Sequence, residues 1–109
     1  MSVIVLGELT ELEARAAEAA QLLKLLANEK RLLLLCHLVA RPEMTVGVLA
    51  DAVGLSQSAL SQHLAKLRDD GIVAARRQSQ TIYYRVADPK AARVLQLLKD
   101  LFCPDIPAV

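Results

Sequence analysis

The chain has 109 residues, 54% of them apolar and only 3% aromatic, and a formal net charge of +1. That length holds one domain with a modest core of Leu, Val and Ala and excludes two. The near-balanced charge excludes a chain-wide polybasic coat, yet residues 56–87 carry five basic and two acidic groups, so the positive excess is central.

Met1 to Leu6 has no basic stretch and the chain turns acidic at Glu8, so neither an export signal nor a membrane span is expected, and the cytoplasm is the expected location. Residues 1–9 read as a tail. From residue 10 to 25, Leu12, Ala16, Ala19 and Leu23, continued by Leu26, recur at three- and four-residue spacing and predict an amphipathic helix. Asn28 then caps a second helix through Val39, apolar nearly all round, which belongs in the centre of a fold and ends near Arg41-Pro42. Thr45 starts a short third helix through Ala52, followed by the turn Val53-Gly54-Leu55. Ser56 caps a fourth, in which Leu60, Leu64 and Leu67 form the buried stripe and Asp70-Gly71 the stop.

Between Ile72 and Val86 the apolar period changes to two, which predicts a hairpin. Its tip, Gln78-Ser79-Gln80, lacks the Asn-Gly or Gly of a tight primed turn, so a longer mobile loop is expected. Asp88-Pro89 opens a fifth helix marked by Leu95, Leu98 and Phe102 and stopped by Pro104, and residues 104–109 read as a second tail. The expected fold is mainly α (α+β): a winged helix-turn-helix of five helices and a β-hairpin wing, occupying residues 10–103.

Ala50 and Gly54 let the third and fourth helices cross closely. The fourth helix then presents Gln57, Ser58, Ser61 and Gln62 outward, short hydroxyl and amide groups that fit a major groove and bond base edges. Beside it, Arg76, Arg77, Gln78 and Gln80 at the hairpin tip are placed for phosphates or the minor groove. A solvated polar face and arginines that guard an edge strand are the plainer alternatives.

The run Val46 to Ala50, Gly54 to Leu64 and Leu67 to Val73 resembles the ArsR/SmtB family of winged-helix repressors, and the resemblance spans about residues 10–103. It implies a homodimer through the first and last helices, with Ser58, Ser61, Gln62 and His63 near the bases of operator DNA and the wing beside them. It also implies repression relieved by a small inducer. No phosphate loop, nucleophile elbow or acid–histidine pair points to an enzyme, and no cofactor is expected. A constitutive DNA-binding protein and a protein-interaction module remain as alternatives.

Cys36 and Cys103 form no chelating spacing; no cysteine lies in residues 45–52 and no histidine in the last helix, so metal ligation is not expected. Cys36 has the position of a small core residue, whereas Gln96, Lys99 and Asp100 precede Cys103 on a polar stripe that leaves its thiol partly accessible. One cysteine in the second helix and one at the end of the last resemble the SqrR/BigR dithiol subgroup of the family. That resemblance implies sensing of persulfides or polysulfides through a sulfur bridge between Cys36 and Cys103; a regulator of the same family that answers to another inducer, peroxide, a metal or arsenite, is the alternative.

Overall fold

Three side-chain caps begin helices at the positions where the sequence offers them. In a computed structural model, which describes residues 6–102, α1 spans Leu6–Leu26, α2 Glu29–Ala40, α3 Val46–Val53, α4 Gln57–Asp69 and α5 Pro89–Phe102. Asn28 Oδ1 accepts from the Arg31 amide at 3.1 Å, Thr45 Oγ1 from Val48 at 3.3 Å and Ser56 Oγ from Ala59 at 3.1 Å. Each bond satisfies an amide that a helix start leaves unpaired. Pro89 opens α5 behind Asp88, whose Oδ1 accepts from the Lys90 amide at 2.9 Å.

Gly71 ends α4 at φ 76°, its amide donating to the Arg68 carbonyl at 3.0 Å while the Ile72 amide reaches Leu67 at 2.9 Å. This is the paired stop that needs a left-handed residue. Beyond the glycine and its two chain neighbours, no atom of the described residues lies within 4 Å of where a β-carbon would stand. Gly71→Ala therefore isolates the backbone cost, and urea denaturation is expected to show about 1–2 kcal/mol of lost stability at an unchanged denaturant slope.

Three antiparallel strands, β1 (Met44–Thr45), β2 (Val73–Gln78) and β3 (Thr81–Val86), lie in the order β1-β3-β2. The two-residue β1 adds to the expected hairpin a strand too short to leave an alternation signal. The expected long loop is corrected: Gln78 pairs with Thr81, so Ser79 and Gln80 alone make the turn. Ser79 supplies the positive φ, 58°, that glycine usually supplies, and the paired strands on either side hold it there.

α2 runs through the centre, with Leu34 and Leu35 fully buried against Leu49 of α3, Leu60, Leu64 and Leu67 of α4, and Leu95 of α5. α1 begins at Leu6, so residues 6–9 of the expected tail are helical. Among its described side chains, Leu25 and Leu26 of the last turn join the core and Leu22 packs against it, whereas Leu12 and Leu23 are 58% and 56% exposed. A 21-residue helix is about 32 Å long, and its projection agrees with a radius of gyration of 16.3 Å where a compact chain of this size has about 13 Å. Leu12 and Leu23 of the apolar stripe of α1 are left uncovered by the other described residues. Among the described residues no helix is long and apolar enough to cross a membrane.

Candidate functional site

The α3–α4 turn is closed at Gly54, φ 71°, where the Gly54 and Leu55 amides both donate to the Ala50 carbonyl at 2.9 and 3.2 Å. The turn sets the angle between the two helices. Because Leu60, Leu64 and Leu67 anchor one side of α4, the opposite side presents Gln57, Ser58, Ser61 and Gln62, all four exposed. His63 differs from them. It is half-buried, and its Nδ1 accepts from Arg31 Nε at 3.4 Å while Arg31 Nη1 donates to the Leu25 carbonyl at 3.3 Å. Arg31 thus ties the end of α1 and the start of α2 to α4.

The wing separates the residues that the sequence grouped at its tip. Arg76 stands opposite Tyr83 and Arg77 opposite Ile82, and neighbours along a strand point to opposite faces. Arg76 holds Glu43 through two bonds, Nη2 to Oε1 at 2.9 Å and Nε to Oε2 at 3.0 Å. It also donates to Gln78 Oε1 at 2.9 Å and lies 4.7 Å from the centre of the Tyr83 ring. The hydrogen bond from Arg76 holds the Glu43 carboxyl below the usual carboxylate range. All four side chains are exposed, but Arg76 and Gln78 are engaged with each other and Glu43, whereas Arg77 stands on β2 before the turn and Gln80 within it. Glu43 was not legible as a site residue, since its partner lies 33 positions away.

Cys36 is buried on α2 and lines a cavity of about 300 Å³ with Glu29, Leu32, Leu33, Leu98 and Phe102. Cys103 lies outside the described residues, directly after Phe102 in sequence. Ala91, Leu95 and Lys99 form the buried face of α5, so Lys99, expected on an accessible polar stripe, is corrected to buried, whereas Phe102 is 77% exposed. Small Ala91 and the methylene stem of Lys99 let α5 lie close to α2, which bulkier Leu98 and Phe102 flank. The pKa of His37, beside Cys36 in sequence, is pushed down by burial and by Arg41, which favours the neutral imidazole. No cluster of three His, Cys, Asp or Glu side chains able to hold a metal occurs among the described residues.

The family described as "Bacterial regulatory protein, arsR family" matches residues 28–75. The HTH-type transcriptional regulator YgaV of Escherichia coli is 42% identical over 97 residues, covering 89% of this chain and 98% of its own. The transcriptional activator HlyU of Vibrio cholerae is 46% identical over 95 residues, or 87% of each chain. The structure of its reduced form superimposes with a TM-score of 0.80 over 85% of this chain and 97% of that one. The transcriptional repressor BigR of Xylella fastidiosa matches at 44% identity and a TM-score of 0.77, covering 86% of this chain and 95% of that one.

Proposed function

Because the chain belongs to the arsR family of bacterial regulatory proteins, and is like its relatives a DNA-binding transcriptional regulator, we propose that it represses as a cytoplasmic homodimer and releases its operator when reactive sulfur joins Cys36 to Cys103. The observation that carries this reading is the cavity at Cys36, whose wall includes Phe102, the residue before Cys103. A second copy supplies cover for Leu12, Leu23, Leu97, Leu101 and Phe102, which one chain leaves exposed on its first and last helices. Gln57, Ser58, Ser61 and Gln62 read bases, with His63 at the inner margin of that face, and Arg77 and Gln80 meet the backbone beside it, with Arg76 and Gln78 behind them.

An organic persulfide supplies the sulfane sulfur and takes up the electrons. One thiolate attacks the outer sulfur of a persulfide, forming a protein persulfide and releasing a thiol; a second transfer extends it by one sulfur. The other cysteine then attacks the middle of that chain and expels hydrogen sulfide. Two cysteine thiols and two persulfides thus give a trisulfide bridge, two thiols and one hydrogen sulfide. Bridging α2 to the end of α5 shifts the interface helix, and with it the spacing of the two reading helices, which must match half-sites about 34 Å apart.

Intact mass after anaerobic treatment with an organic persulfide, followed in parallel with retention on DNA, tests the proposal. Both thiols are expected to be consumed with a gain of sulfur and loss of DNA, while Cys36→Ser and Cys103→Ser keep DNA binding within about twofold of wild type and lose the response. Full response in either serine variant, or release by peroxide or arsenite alone, would remove the proposed inducer.

A further inference from the structure

We propose that Glu43 is a built-in competitor for the DNA backbone: its carboxylate occupies the guanidinium of Arg76 in the way a phosphate would, and so limits what the wing adds to affinity. The inference rests on the reading that the wing faces DNA phosphates. An arginine fork binds a carboxylate and a phosphate with the same two-bond geometry, so one occupant excludes the other.

Four contacts to three residues hold Arg76 in place: both carboxylate oxygens of Glu43, the side-chain oxygen of Gln78 and the face of Tyr83. The Glu43 backbone is held beside the wing, because the next residue, Met44, is buried and paired with Tyr84 in the sheet. The pair is nonetheless accessible to exchange, with the Arg76 side chain 44% and the Glu43 side chain 30% exposed. Arg85 also acts on the Glu43 carboxyl, so this acid offsets positive charge on two wing residues. No acidic side chain forms an ion pair with Arg77 among the described residues. One arginine of the pair is therefore available to a phosphate as it stands, and the other only after Glu43 is displaced.

The test is fluorescence anisotropy of the full-length chain with a labelled duplex of mixed sequence, titrated between roughly 50 and 200 mM salt. Glu43→Gln is expected to bind about three- to tenfold tighter at the low-salt end, with a salt dependence steeper by about one phosphate contact. Glu43→Gln combined with Arg76→Ala is expected to bind within about twofold of Arg76→Ala alone, the remainder coming from Arg85. Glu43→Asp, which keeps the charge but is too short to hold both nitrogens, should give a smaller gain and serves if the glutamine variant does not fold. Binding of Glu43→Gln equal to or weaker than wild type overturns the proposal, as does a gain of the same size without Arg76. Wild-type binding that ignores salt would instead remove the wing reading, and the proposal with it.

Discussion

Alanine in place of Leu64 is expected to lower the free energy of unfolding by about 2–5 kcal/mol. Leu64 is fully buried between Leu60 and Leu67 on the inner side of α4, in contact with the core that α2 organises. Its removal deletes transfer energy and leaves a cavity in a helix that the turn at Gly54 and the stop at Gly71 hold at both ends, so the site has little freedom to collapse. Set against a total stability of about 5–15 kcal/mol, the loss is large enough to unfold a measurable share of the protein at growth temperature. Urea denaturation at one fixed protein concentration measures it, since association into the proposed homodimer would add to apparent stability. Leu64→Met, which conserves volume, is expected to cost less than about 1.5 kcal/mol, and equal losses for both would place the sensitivity elsewhere.

On the opposite side of the same helix, Gln62→Ala is expected to leave stability within about 0.5 kcal/mol, because Gln62 is exposed. Its effect falls on recognition instead. A side-chain amide that makes two bonds to adenine contributes about 1–3 kcal/mol of discrimination, or about 5–150-fold in affinity. Against a duplex selected by the wild-type protein from a random pool, the variant should lose that factor. Against a mixed-sequence duplex it should lose almost nothing. Arg77→Ala provides the contrast, a uniform loss on both duplexes with a shallower salt dependence. If Gln62→Ala weakened both duplexes equally, Gln62 would belong with the backbone contacts.

These expectations separate because a short rule of spacing fixes which side of α4 is which, and such rules were legible in the sequence. Asn28, Thr45 and Ser56 each cap the helix they were read to cap, since a cap depends only on residues two or three positions away. What the sequence hid was decided by partners remote along the chain. β1 exists because Tyr83 and Tyr84 offer Thr45 and Met44 an edge to pair with, and two residues show no period. Leu95, Leu98 and Phe102 mark α5 in the sequence, but close packing on α2 buries Ala91, Leu95 and the stem of Lys99. Arg76 and Arg77 looked equivalent side by side; the register opposite Tyr83 and the acid 33 residues upstream made them different. Cys36 was read as a core residue and is one, while the role proposed for it came from its position relative to Cys103.

The two-residue turn at Ser79 and Gln80 makes the wing a ruler with fixed graduations. With Gln78 already paired to Thr81, no slack loop exists that could extend the reach of the tip. The strands can lengthen only by adding residues to both at once, each added pair advancing the tip by about 3.4 Å and exchanging the faces on which the tip side chains stand. A single inserted residue in β2 would bulge or slip the register and put Arg77 on the side that now belongs to Arg76. Among descendants of this chain, wing length should therefore change in even steps that restore the original faces, and point substitution should be the commoner way to alter what the wing touches.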